Sequence, residues 1–149
     1  MRNRKKVIND FKMDVAARSV NESFCRAVTG AFAALCDPTV EELSDLKTAV
    51  SEAVTNCIVH GYRDRPGRIY IDAALLEGNV LRVKIRDKGC GIEDVSRAME
   101  PLFTTAGNER SGLGFTVMES FSDTLKVRSK PGKGTAVTLT KTIAGKCDE

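Results

Sequence analysis

The hydrophobic pattern of this chain changes period near Gly61. Before it, apolar residues recur at helical spacing; after it, they mostly alternate with polar ones. The early exception is Phe11, Met13 and Val15, which alternate with Lys12 and Asp14 and predict a short first strand. Ser19-Val20-Asn21-Glu22 has the form of a capping box, with Ser19 as cap and Glu22 reaching back. It predicts a helix to about Leu35, with Phe24, Val28, Ala31 and Leu35 on the apolar face, broken by Asp37-Pro38. Thr39-Val40-Glu41-Glu42 repeats the capping pattern and opens a longer helix. Leu43, Leu46, Ala49, Val50, Ala53, Val54, Cys57 and Ile58 keep its period as far as Gly61, which reads as a left-handed terminator.

Past the turn residues Arg63-Asp64-Arg65-Pro66-Gly67, two alternating segments follow. Ile69, Ile71, Ala73 and Leu75 share one face; Leu81, Val83 and Ile85 alternate with Arg82, Lys84 and Arg86. Joined by Glu77-Gly78-Asn79, they predict an antiparallel hairpin with one buried and one wet face. Residues 87–112 are loop-rich, with at most a short helix from Asp94 to Met99. A helix from about Gly112 to Phe121 precedes strands near Thr124–Ser129 and Thr135–Ile143, which are joined by a turn from Lys130 to Gly134. Helices bunched early and strands bunched late predict an α+β fold. We expect a single domain over 1–149, a two-layer sandwich with helices packed on one face of a mixed, largely antiparallel sheet, and residues 1–8 as a flexible extension.

Composition narrows this only a little. A chain of 149 residues, 42% hydrophobic and 29% charged, is long enough for one proper core and ordinary for a soluble protein. The net charge of +3, with basic residues spread along the sequence, makes no case for direct nucleic-acid binding. The one basic block, Met1-Arg2-Asn3-Arg4-Lys5-Lys6, reads as a solvated tail. No apolar run reaches membrane-spanning length and no hydrophobic segment follows the basic start, so a cytoplasmic location is expected. Five scattered cysteines without metal-type spacing read as reduced thiols, Cys90 included as a small filler between two glycines.

The candidate chemistry begins in Ser51-Glu52-Ala53-Val54-Thr55-Asn56-Cys57-Ile58-Val59-His60-Gly61. Glu52, Asn56 and His60 form a polar row on the helix, climbing about 6 Å per step. Asn56 offers a neutral oxygen suited to a Mg²⁺ that keeps most of its waters and takes phosphates as further ligands. Glu52 can orient or deprotonate a hydroxyl or water; as a surface carboxylate it would instead pair with Lys47 or stay solvated. His60 reads as support for the helix end or a pocket. Asp87-Lys88-Gly89-Cys90-Gly91 leaves a strand end, where Asp87 can accept from an exocyclic base amine while Gly89 and Gly91 allow close backbone approach; the same pattern is also an ordinary turn. Arg110-Ser111-Gly112-Leu113-Gly114-Phe115 precedes a helix and can turn backbone N–H groups toward an anion, though it is neither a Walker A loop nor a dinucleotide fingerprint. Pro101 to Arg110 suits a hinged lid, and Gly132-Lys133-Gly134-Thr135 is a tight turn with a hydroxyl at a strand start.

In this order the segments resemble the GHKL ATP-binding superfamily, which includes gyrase-type ATPases, Hsp90, histidine kinases and MutL. The resemblance covers nearly all of the chain from Thr39 onward and implies the Bergerat-type fold. Histidine kinases fit poorly, because His60 is the only histidine and lies inside the ATP helix. Ala17 to Arg26, Val50 to Asn56, His60-Gly61-Tyr62, Pro101 to Thr105 and Glu109 to Phe115 are similar to the small serine kinases that act as anti-sigma factors, the sporulation type above all and the general-stress type next. The resemblance implies ATP or ADP and Mg²⁺ as cofactors, with Glu52 as general base on a serine hydroxyl and Asn56 as Mg²⁺ ligand. Asp87 would hold the adenine amine, Gly89 and Gly91 the base pocket, and His60 would line it. Thr104, Thr105, Arg110 and Ser111 would belong to the lid; Gly112, Leu113, Gly114 and Phe115 would lie at the phosphates, Thr135 near adenine. Arg26 would sit on a surface shared by two protein partners, a sigma factor of the sigma F type and an anti-anti-sigma protein that is the phosphorylation substrate. A homodimer is implied as well. The alternatives are a general-stress sigma B kinase, or a GHKL ATPase or binding module without protein phosphotransfer.

Overall fold

The computed structural model describes residues 4–99 and 109–145, the stretch 109–114 by its backbone alone. Strand β1 (Val7–Ala16) is followed by helix α1 (Val20–Ala33), which tightens into one 3₁₀ turn over Ala34–Cys36. Helix α2 (Val40–Asn56) runs directly into a single wide π turn over Cys57–Gly61. The hairpin of β2 (Arg68–Leu76) and β3 (Val80–Asp87) comes next, then the short helix α3 (Val95–Ala98) and helix α4 (Glu109–Phe121). Strands β4 (Thr124–Lys130) and β5 (Gly134–Thr142) close the fold. The sheet order is β1-β2-β3-β5-β4, and each neighbouring pair is antiparallel.

The α+β two-layer arrangement expected from the sequence is therefore present. Alternation puts Ile69, Ile71, Val83, Ile85, Val137 and Leu139 on the inner sheet face, all nearly inaccessible. Against them pack Leu46, Val50 and Val54 of α2 and Met118 and Phe121 of α4. Helix α2 occupies the middle of the helical layer, touching both α1 and α4. Its N-terminus carries the full capping box: Thr39 Oγ1 accepts from Glu42 N–H at 3.0 Å, and Glu42 Oε1 accepts from Thr39 N–H at 3.0 Å. Glu42 also accepts from the N–H groups of Ala144 (2.7 Å) and Gly145 (3.2 Å), tying the chain end to this cap. Burial opposes its ionisation, but the N–H groups of Thr39, Ala144 and Gly145 outweigh that and hold its pKa below the usual value.

Five expectations need correction. The extension expected over residues 1–8 is cut short, because β1 already begins at Val7, which pairs with Leu76. Ser19 adopts helical angles (φ −55°, ψ −35°) rather than the extended conformation of a cap, so its hydroxyl caps nothing, and Glu22 reaches forward to Arg26. The apolar face of α1 is out of phase with the one expected. The buried side is Cys25, Thr29, Gly30 and Ala33, small residues that let the helix lie close, whereas Phe24 is 51% and Leu35 64% exposed. Gly61 is not left-handed; the positive φ angles follow it at Arg63 (53°) and Asp64 (63°). Helix α4 starts three residues earlier than expected, at Glu109, so Gly112 and Gly114 lie within its first turns and not in a loop before it.

Candidate functional site

One end of α2, the end of β3 and the first part of β5 meet around a cavity of about 720 Å³. Its lining includes Asn56, His60, Asp87, Gly91, Phe115 and Thr135, six of the residues singled out from the sequence. Two glycines make the meeting possible. A Cβ on Gly61 would lie 2.7 Å from Asp87 Oδ2, and a Cβ on Gly89 would collide with the Gly61 carbonyl. The two backbones cross in contact and are joined by Cys90 N–H donating to Gly61 O at 2.8 Å. The role of Gly61 is thus close approach, which explains why no positive φ is needed there. The π turn closes by Tyr62 N–H donating to Cys57 O at 2.8 Å, and it carries His60 and Gly61 to the cavity wall.

Asp87 is a carboxylate with only 7% of its surface exposed, and it forms no ion pair among the described residues. Burial pushes its pKa up; the Gly89 N–H, the Cys57 thiol and the Thr135 N–H oppose that rise. The Gly89 N–H lies 2.8 Å from Oδ1. A buried acceptor held by neutral donors, at the edge of an open cavity, has room for one further hydrogen-bond donor. Thr135 sits opposite Asp87 in the β3–β5 register. Its hydroxyl is 2.8 Å from Ser129 Oγ, which donates to Gly134 O (2.9 Å) and accepts from Ile92 N–H (2.7 Å). Ser129 therefore fastens the loop after Asp87 to the strand pair that carries Thr135. No sequence signal points to Ser129, since a serine on an edge strand has no motif of its own.

His60 is half-buried. Burial and the nearby Arg63 charge lower its pKa, partly offset by Asp64, so it stands neutral at pH 7. Cys57 has its pKa pushed well up by burial and by the Asp87 charge, so its thiol is inert. Cys90 donates its thiol to His60 O at 3.1 Å, a filler that is also hydrogen-bonded. Arg63, Asp64, Glu93, Asp94 and Arg97 complete the cavity rim and were not singled out from the sequence. They come from turns that acquire meaning only once the fold brings them to one mouth.

Glu52 is not part of this cavity. It lies at the neighbouring groove between α1 and α2, about 470 Å³, with Arg26, Leu43, Lys47 and Ser51. Arg26 Nη1 donates to Glu22 Oε2 at 3.1 Å and to Ser51 Oγ at 3.3 Å, which fixes the guanidinium beside Glu52. The Glu52–Lys47 ion pair weighed above does not form. The helical row thus divides: Asn56 and His60 face one cavity and Glu52 faces the other, one turn away. Thr104, Thr105 and most of the expected lid lie outside the described residues, as do the side chains of Arg110, Ser111, Gly112, Leu113 and Gly114.

Residues 15–141 match the histidine kinase-like ATPase domain family. The chain is 54% identical over 136 residues to the anti-sigma F factor of Thermoanaerobacter sp. (strain X514), covering 91% of this chain and 94% of that one. It is 49% identical over 137 residues to the anti-sigma F factor of Clostridium acetobutylicum, covering 91% and 95%. The chain belongs to the anti-sigma F factors of the histidine kinase-like ATPase family. The fold of this family member is also that of the RsbU and RsbW domains of Rv1364c from Mycobacterium tuberculosis (TM-score 0.65, 21% identity, 91% of this chain and 32% of that one). A second neighbour, full-length ShkA in complex with AMPPNP, has a TM-score of 0.58 at 17% identity, covering 87% of this chain and 31% of that one. The family implies nucleotide binding and sporulation-type anti-sigma regulation. Among the described residues, no helix is long and apolar enough to cross a membrane.

Proposed function

We propose that this family member is an ATP-dependent protein-serine kinase that also sequesters a sigma factor of the sigma F type. The observation that carries the nucleotide half is the buried, uncompensated Asp87 carboxylate at the cavity edge. Adenine presents its exocyclic amine to Asp87, and Thr135 lies beside the base. The phosphates extend toward the N-terminal turn of α4, whose first N–H groups, up to Gly112, have no partner within the helix, with the segment from Thr104 up to the start of α4 closing as the lid. Asn56 fits a Mg²⁺ site: its amide makes no hydrogen bond among the described residues, it is half-buried, and it lines the cavity. No group of three or more acidic, Cys or His side chains able to hold a metal exists among those residues, so a hydrated ion shared with phosphates is the arrangement that fits. Such an ion would neutralise charge on the β- and γ-phosphates.

Glu52 faces the adjoining groove, where an acceptor from a second protein can enter without crossing the nucleotide. It takes the proton of an anti-anti-sigma serine hydroxyl as that oxygen bonds to the γ-phosphorus. The bond from γ-phosphorus to the β–γ bridging oxygen breaks, and ADP leaves. Arg26, held by Glu22 and Ser51, marks the surface that the acceptor protein and the sigma factor share. Strand β1 is a free sheet edge with Val7 and Ile8 exposed, and two copies would pair there as a homodimer.

The deciding experiment is incubation with γ-labelled ATP, Mg²⁺ and the anti-anti-sigma protein, for the native chain and for Glu52→Gln. Transfer to a serine in the first case, and its loss by at least about 100-fold with sigma-factor binding kept in the second, is the expected pair of results. Equal transfer by both would remove Glu52 as base. Sigma-factor binding without transfer by the native chain would leave a nucleotide-gated binding protein.

A further inference from the structure

Cations that are scattered in the sequence are gathered by the fold. On the sheet face turned away from the helices, the registers align Arg86 with Ala136 and Arg128, and Lys84 with Thr138 and Lys126. Arg82 is aligned with Thr140 and Thr124, and Lys130 follows at the end of β4. Arg82, Lys84, Lys126, Arg128 and Lys130 are exposed, and Arg86 is half-buried. Strands β4 and β5 contain no acidic residue, and the one carboxylate of β3, Asp87, is buried at the cavity. None of the six cations forms an ion pair among the described residues. The β1–β2 half of the same face differs: it mixes Lys12 with Asp10, Asp14 and Asp72, Asp72 stands opposite Lys84 at the border of the two halves, and Arg68 is paired to Asp14 at 2.6 Å.

We propose that the β3–β5–β4 half of this face binds the phosphate backbone of duplex DNA, independently of base sequence. Alternate residues along a strand are about 6.8 Å apart, and β3 and β4, with β5 between them, are about 9.6 Å apart. The cations therefore form two parallel rows with threonine hydroxyls between, an array of charge and donors for phosphate oxygens. A protein partner is disfavoured because protein interfaces have an apolar centre and are poor in lysine, whereas the middle of this patch is Ala136, Thr138 and Thr140. A single strand is disfavoured because it needs an exposed aromatic platform. Tyr70 is the aromatic of this face, and its ring is covered by Arg86 (4.5 Å) and Lys88 (5.0 Å). The patch lies on the opposite side of the sheet from the helical layer, so the proposal does not depend on kinase chemistry.

The test is fluorescence anisotropy of a labelled random duplex of about two helical turns, titrated with the full-length chain at several salt concentrations. The expected dissociation constant is about 1–100 µM near physiological salt, and about four phosphate contacts give a log–log salt slope of about −3 to −4. Lys126→Gln/Arg128→Gln/Lys130→Gln should weaken binding at least about 10-fold at low salt and make the slope shallower by about 2 to 3. Unchanged nucleotide binding and melting verify its fold, and Arg82→Gln/Lys84→Gln serves as a second, independent variant. Arg4→Ser/Lys5→Ser/Lys6→Ser, in the basic tail, should bind like the native chain. The proposal is overturned by absence of binding at low salt, by native affinity in both face variants, or by loss of binding in the tail variant alone. It is equally overturned if the face variants lose a protein partner while the native chain ignores DNA.

Discussion

Helices α1 and α2 begin with the same sequence device, a hydroxyl residue followed three positions later by glutamate, and only one of them uses it. At Thr39 the preceding Pro38 is buried and the cap is extended (ψ 165°), so both reciprocal hydrogen bonds form. At Ser19 the chain is already helical, and Glu22 spends its carboxylate on Arg26 instead. The apolar faces differ in the same way. In α2, Leu46, Val50 and Val54 reach the sheet; in α1, Phe24 and Leu35 face outward while small residues make the contact. A local pattern fixes a helix, but the phase of its buried face is decided by what it packs on. Here α1 lies beside α2, and its contact surface is built from Cys25, Thr29, Gly30 and Ala33.

The largest test of this difference is truncation on each helix. Leu46→Ala should cost about 3 kcal/mol, within the usual range for a fully buried leucine, whereas Phe24→Ala and Leu35→Ala should each stay within about 0.5 kcal/mol. Urea unfolding measures both, and an equal loss at Phe24 would mean that its side chain is covered in solution. A smaller test addresses the caps. Thr39→Ala should cost about 1 kcal/mol, more than Ser19→Ala, which should change stability by no more than a few tenths of that. Equal costs at the two positions would show that Ser19 also caps its helix.

The same contrast explains what was legible in the sequence. Period and alternation located α1, α2 and the strands of the hairpin, because burial of one face is a local requirement along the chain, whereas the π turn at the end of α2 has no such signature. Asn56, Asp87 and Thr135 could be picked out from the order of the segments that carry them, since each segment alone also reads as an ordinary helix face or turn. The division of the polar row was not legible: Glu52 and Asn56 both lie on the regular part of α2, and the groove that Glu52 lines exists only because α1 packs alongside and brings Arg26 to it. Ser129 and the rim residues were invisible for the same reason. Their role is created by strand register and turn geometry, which no short stretch encodes. The role of Gly61 was misassigned because a glycine after a helix most often relieves φ, while here it relieves a collision with Asp87.

The smallest effects are expected from pH, and they separate the two helices once more. The C-terminal end of α2 is tied to two groups with opposite shifts. The Asp87 pKa is raised above 3.8, chiefly by burial, so its contribution to stability is complete below pH 3.8 and is lost as pH rises through the folded value. The His60 pKa is lowered below 6.5, again chiefly by burial, so its contribution is present above pH 6.5 and is lost as pH falls through the folded value. The buried thiol of α1, Cys25, is pushed up to about 11 by burial and by Glu22, so it stays protonated across this range. Melting temperature of the nucleotide-free chain from pH 3 to 8 should therefore lose a component that sets in above pH 3.8 in Asp87→Asn and a component below pH 6.5 in His60→Asn, with Cys25→Ser leaving the shape of the profile unchanged. Bound nucleotide should reduce the Asp87 component, since a base amine donating to the carboxylate stabilises the ionised form that burial opposes. An Asp87→Asn profile that responds to nucleotide as the native one does would place the base elsewhere.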